Sequence, residues 1–318
     1  MIDVHTHYVP RGMSTPSSGP WVRDGSMIML GQQEFRPIGP QSWDVDLRLA
    51  DMDADGVDVQ VLSPTPVFFG YDAPLAVAVD TARRANDAAL DLCVAAPERL
   101  LPMAQVPLQD ADAACLELSR CVAAGHVGVE IGNHVGDRDL DDAGVVTFLQ
   151  HAASLGAAVF VHPWDMPVSP RLDRWMARWL AGMPAETHLS VIAMILGGVF
   201  DQVSSDLRIC FAHGGGSFPF WLGRFENAWR RRGDLVGGSE HPPSAYLDRF
   251  YVDSVVFDEP ALRLLIDTMG ASQVVVGSDY PYPLGERPAG AVVRNASFLD
   301  DAARSQVMDG NARRFLNR

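Results

Sequence analysis

The sequence predicts an α/β fold, a (β/α)8 (TIM) barrel, from three observations. Eight short β-rich apolar runs are spread along 318 residues, amphipathic helical stretches lie between most of them, and four of the runs end in histidine or aspartate. Strand and helix in alternation call for a parallel sheet, whose strands are buried on both faces and so appear as continuous apolar runs. Length and a hydrophobic content of 47% suit two ordinary domains or one barrel equally. The eight strands decide for closure, in a single domain over residues 1–318, since such a barrel takes ~250 residues plus insertions.

In order, the runs are IDVH (2–5), VDVQVLS (57–63), LPMAQVP (101–107), VGVEIG (127–132), AAVFVHP (157–163), LRICFAH (207–213), FYVDSVV (250–256) and QVVVGSD (273–279). Helical periodicity is clearest from Leu75 to Ala96 and from Ala111 to Ala124. Two segments exceed a minimal barrel. Residues 10–43 are rich in Pro, Gly and Ser around SMIML (26–30), which predicts a lid-like insertion after strand 1, perceived as a small hairpin. Residues 165–205 predict a helical insertion of two helices after strand 5.

Charge and composition exclude several classes. A net charge of -15 repels nucleic acid and acidic membrane surfaces. No uninterrupted apolar stretch reaches the roughly 18 residues of a membrane span, and the first strand starts at Ile2, so a cytoplasmic protein is expected. Cys93, Cys115, Cys121 and Cys210 are scattered without a C-x-x-C pair, and no disulfide or cysteine zinc site is expected. All 25 basic residues are arginine. Schiff-base lysines and carbamylated lysines bridging two metals are thereby impossible.

Active sites of such barrels lie at the C-terminal ends of the strands. Strand 1 ends in His5 and His7, strand 5 in His162, strand 6 in His213 and strand 8 in Asp279. Because His5 and His7 are two apart in an extended strand, their imidazoles share one face. Three neutral imidazoles and one carboxylate suit Zn(II) with an open position, which assigns His5, His7, His162 and Asp279 as ligands of one zinc ion. Water on a catalytic zinc ionises near pH ~7. His213 is placed to take that proton or return one. Glu130 and His134 lie near the fourth strand end, as pocket-tuning, turn or second-sphere residues, and Trp164, Trp175 and Trp179 either wall a planar ligand or simply pack.

The motifs HTH, HPW (162–164), HGGG (213–216) and GSDYPYPLG (277–285) resemble the amidohydrolase superfamily. The longer blocks EFRP (34–37), DADGVDVQV (53–61), MAQVPLQD (103–110), AAGHVGVEIGNH (123–134), MPAET (183–187), LGRFENAWR (222–230) and RFYVDS (249–254) extend the resemblance from end to end. They are similar to its decarboxylating branch, and within that branch to decarboxylases of 2-amino-3-carboxymuconate 6-semialdehyde, the activity type met in tryptophan–kynurenine catabolism. The resemblance implies a zinc-dependent, non-oxidative carboxy-lyase acting on a small dicarboxylate, with His213 as acid/base. It implies that Arg36 and Arg224 bind the substrate carboxylates, Arg224 reaching the neighbouring site of a homodimer. Guanidinium suits that task because it holds a carboxylate in one plane. A zinc hydrolase or hydratase on a related unsaturated acid needs the same ligands and is the alternative activity.

Overall fold

The computed structural model describes residues 1–10 and 20–318. All eight predicted strands form, as β1 (Ile2–Tyr8), β5 (Val59–Pro64), β6 (Leu100–Ala104), β7 (Gly128–Gly132), β8 (Ala158–His162), β9 (Arg208–Phe211), β10 (Tyr251–Asp253) and β11 (Val274–Val275). They pair in parallel in that order. The two ends of the sheet meet: Val4 N–H donates to Val276 O, Asp279 N–H to His5 O and His7 N–H to Tyr280 O. These bonds draw the chain beyond β11, which carries Asp279, against the strand that carries both early histidines.

Inward side chains fill the barrel. Val4, Val61, Met103, Phe160, Cys210 and Val275 form one buried cluster, which Ala312, Phe315 and Leu316 of the C-terminal helix complete from below. Outward residues such as Val129, Ile131, Val159 and Val161 pack against the surrounding helices. Those helices include α1 (Val45–Asp55), α2 (Leu75–Val94), α3 (Ala111–Ala124) and α4 (Ala143–Ser154). The bounds of α3 follow from local chemistry: Asp110 accepts from Ala113 N–H at its start, and Gly125 takes the left-handed conformation at its end. The four cysteines are free thiols.

Both insertions form where the sequence predicts them, with differences in detail. The first is a three-stranded antiparallel sheet rather than a hairpin: β2 (Pro20–Arg23), β3 (Met27–Leu30) and β4 (Gln33–Pro37). The turn at Gly31 sends QEFRP back along the SMIML strand, and part of the predicted insertion, residues 11–19, falls outside the described residues. Val22 and Ile28 pack on Val67 and Phe68 at the barrel mouth. In the second, a coil with a short turn at Pro170–Leu172 leads into one continuous helical run, Arg178–Leu196. Gly197 and Gly198 end it, and only the four-residue α6 (Val199–Gln202) follows. The main part of that run, α5 (Met183–Leu196), is apolar and long enough with its first turn to match a membrane span in composition, yet it buries Glu186, Thr187, Ser190, Val191, Met194 and Ile195 against the protein.

Candidate metal centre and active site

Alternation along β1 places the His5 and His7 rings together at the mouth, both fully buried, while Thr6 donates its hydroxyl to Val61 O at 2.7 Å. His5 Nδ1 lies 2.6 Å from Asp253 Oδ2, and His7 Nδ1 lies 3.4 Å from Pro64 O. In the tautomers that direct both Nδ1–H groups this way, each Nε2 carries a lone pair, and the two Nε2 atoms are 3.2 Å apart. Facing lone pairs at that distance repel unless a cation sits against both.

Further donors surround the same point. Asp279 Oδ1 is 3.2 Å from His7 Nε2 and 3.5 Å from His5 Nε2. His162 spends Nδ1 on Pro163 O at 3.0 Å, leaving its buried Nε2 with no partner among the described residues. His5, His162, His213 and Asp279 each offer an atom within 4.8 Å of the others. This donor set fits a divalent cation held by imidazole and carboxylate.

The electrostatics favour ligation at two of the rings. Burial pushes His7 down to about 4, and burial with the neighbouring histidines pushes His162 well below its ordinary value, so both rings stay neutral and able to ligate. Burial would also depress His5, but the Asp253 carboxylate holds it above the usual range. For Asp279 burial acts upward, and the imidazoles of His213, His7 and His5 outweigh it and hold the carboxyl well below the usual range.

Asp253, from β10, was not legible as a site residue in the sequence. Its Oδ2 fixes His5, while Oδ1 accepts from Gly214 N–H at 2.9 Å and from Val255 N–H at 3.1 Å. One carboxylate therefore orients the His5 imidazole and the turn bearing His213. His213 itself adopts φ 54°, as Asp279 adopts φ 59°. Both are residue types that tolerate the left-handed region, and both turn the chain sharply at a strand end. The His213 ring sits 5.1 Å from His5 and 5.2 Å from His162, its Nε2 is 3.9 Å from Asp279 Oδ2, and neither nitrogen has a hydrogen-bond partner among the described residues. The glycines after it permit close approach: a Cβ on Gly216 would lie 2.2 Å from Pro184 O of α5.

A cavity of about 410 Å³ opens over this centre, lined by Phe35, Arg36, Trp164, Trp179 and Tyr282 as well as His162 and Asp279. The Arg36 guanidinium lies 4.7 Å over the Tyr282 ring and makes no ion pair with any described residue. Tyr282, whose hydroxyl is 2.6 Å from Thr65 Oγ1, stands 5.3 Å from His7 and is a second wall residue that the sequence did not single out. Of the three tryptophans considered, Trp164 and Trp179 line the cavity, whereas Trp175 is 73% exposed and away from it. Arg224 is exposed on α7 (Phe218–Arg231), its guanidinium 5.9 Å over Trp221, and does not line this chain's cavity. His134 bonds Gly136 O at 2.7 Å, a turn contact, and Glu130 is buried beneath the centre.

Comparison with known proteins places these features. A 2-amino-3-carboxymuconate-6-semialdehyde decarboxylase from Dictyostelium discoideum is 38% identical, covering 99% of this chain and 91% of its own length. The protein of that name from Caenorhabditis elegans is 32% identical, covering 99% of this chain and 94% of its own. The crystal structure of 5-carboxyvanillate decarboxylase from Sphingomonas paucimobilis superposes with a TM-score of 0.85 at 26% identity, over 99% of this chain and 98% of that one. With the amidohydrolase family matched over residues 2–318 and its barrel formed, the chain belongs to the amidohydrolase family.

Proposed function

We propose that the protein is a zinc-dependent, non-oxidative decarboxylase of 2-amino-3-carboxymuconate 6-semialdehyde or a closely related, substituted small dicarboxylate. The general class, a carboxy-lyase, rests on full-length relatives of that activity. One observation carries the finer reading: His213, an imidazole without a hydrogen-bond partner among the described residues, stands against a buried four-donor centre at the foot of a cavity whose upper wall offers Arg36, a guanidinium that rests on Tyr282 and meets no carboxylate among those residues.

In this reading His5, His7, His162 and Asp279 hold one divalent ion, with His213 beside it. When bound, zinc supplies Lewis acidity at the reacting end of the substrate. Arg36 binds a carboxylate in the plane of its guanidinium, and Tyr282 beneath it keeps that plane fixed. Trp164 and Trp179 exclude water from a planar, conjugated ligand. His213 delivers a proton from its ring to the carbon that bears the departing carboxylate. The carbon–carboxylate bond then breaks, carbon dioxide leaves, and the electron pair of that bond returns to the conjugated system in place of the proton's positive charge. His213 regains its proton from solvent.

Arg224, exposed on α7, reaches the cavity of a second copy, which makes the working unit a homodimer. The residues 10–43 act as the lid of a single catalytic barrel, and the enzyme works in the cytoplasm. The test is carbon dioxide release from freshly generated 2-amino-3-carboxymuconate 6-semialdehyde by the zinc-loaded protein. Release that disappears with the metal is expected. A hydrated or hydrolysed acid formed without carbon dioxide would instead establish the hydratase or hydrolase chemistry that the same ligands permit.

A further inference from the structure

Beneath the centre lies a carboxylate that the reaction above does not use. Alternation along β7 directs Glu130 into the barrel, while its neighbours Val129 and Ile131 face the helices. Glu130 is fully buried, and neither oxygen has a hydrogen-bond partner among the described residues. Among the described residues its one ion-pair contact is His7 Nδ1 at 3.8 Å, and no arginine among them stands within ion-pair distance of it. The chain has no lysine that might substitute. A carboxylate in such a place is expensive unless a cation or donors meet it.

What does surround it is the second face of the metal centre. One atom each from His7, Glu130 and His162 lie within 4.8 Å of one another, a group that overlaps the His5, His162, His213 and Asp279 group through His162. The overlap decides between one ion and two. His162 Nδ1 is committed to Pro163 O, so only Nε2 remains to ligate, and a single lone pair serves a single ion.

We propose that Glu130 is a direct ligand of that one ion, raising the donor set to three imidazoles and two carboxylates. This rests on the metal centre assigned above and adds a residue to it. Two carboxylates balance a divalent charge within the barrel, and the added oxygen donor makes the site harder. Zn(II) therefore loses part of its advantage over Mn(II), because oxygen ligands suit the harder ion better than imidazole does.

Metal affinity, metal preference and coordination number test the assignment, all measured without turnover. Zn(II), Mn(II) and Co(II) affinities are determined by chelator competition for the wild-type chain and for Glu130→Gln, Glu130→Asp and Asp279→Asn. Glu130→Gln is expected to bind one ion about tenfold or more weakly, within the range by which lost ligand-sphere contacts alter affinity, with Mn(II) losing more than Zn(II). Its Co(II) form should absorb more intensely in the visible, as coordination number falls. Glu130→Asp, which keeps the charge but withdraws it by one methylene, should fall between. Unchanged affinity and spectrum in Glu130→Gln, with Asp279→Asn damaged, would overturn the Glu130 assignment alone. A lower melting temperature and weaker binding without spectral change would mark a packing role and overturn it too. Failure of the wild type to bind any ion, or unaltered binding in Asp279→Asn, would remove the metal centre and this inference with it.

Discussion

The floor and the roof of the cavity are built on different principles. The floor, His5, His7, His162, His213 and Asp279, comes from strand ends that hydrogen-bonded neighbours hold on both sides, and its ligand rings are buried. The roof, Arg36, Trp164, Trp179 and Tyr282, comes from a small separate sheet, an irregular coil, the first turn of a helical run and a loop. Barrel strands fix positions because each one is clamped by two others. Added segments are free to vary, so in the proposed reaction the floor sets the kind of chemistry and the roof sets which molecule receives it.

Substitutions can break or sharpen that contrast. The largest effect is expected at the floor: Asp279→Ala should abolish metal retention and reduce turnover to background, read by metal analysis alongside carbon dioxide release. His213→Asn should keep its metal and lose roughly 10²–10⁴-fold in kcat, the usual contribution of a general acid/base. Retained full turnover there would remove the proposed proton donor. Asp253→Asn, one step behind the ligands, should weaken metal binding ~10–100-fold through His5, and should also lower kcat in the fully loaded protein because the His213 turn loses its anchor at Gly214.

At the roof the effects should fall mainly on binding. Arg36→Gln should raise KM, with metal content unchanged, by about the 1.5–3 kcal/mol typical of a hydrogen bond to a charged group, or ~10–100-fold. If it instead strips the metal, floor and roof are not independent. The smallest expected change concerns assembly. Arg224→Ala alone should be impaired, and mixing it with Asp279→Ala under verified subunit exchange should restore part of the activity, through dimers holding one intact composite site. No rescue would place Arg224 outside the neighbouring site.

The same contrast explains what the sequence disclosed. Parallel strands buried on both faces announce themselves as apolar runs, and all eight form where AAVFVHP, LRICFAH and the others stand. His162 and Asp279 were legible because each ends such a run beside a turn-forming residue, Pro163 or Tyr280–Pro281. Asp253 was not. It sits inside FYVDSVV, where a lone acidic residue looks like an interruption, and its partners are 248 residues away at His5 and 39 away at Gly214. Glu130 could be placed near the fourth strand end, but its lack of partners is a property of packing and not of local pattern. The insertions form where predicted, and only their detail was not legible. Gln33–Pro37 carries too little apolar character to announce a third strand, and the Gly197–Gly198 break follows one long helical run rather than dividing two.

The C-terminal helix has a consequence for traffic. Ala312, Phe315 and Leu316 seal the lower end, and Arg208 Nε–H holds Phe315 O at 2.9 Å. Among the described residues the barrel is thus closed at its lower end. The cavity over the histidines opens at the opposite end, beside Phe35 and Arg36 of β4, so entry and departure both fall to that mouth. On the proposed function, the small sheet at the mouth stands beside both the arrival of substrate and the departure of product.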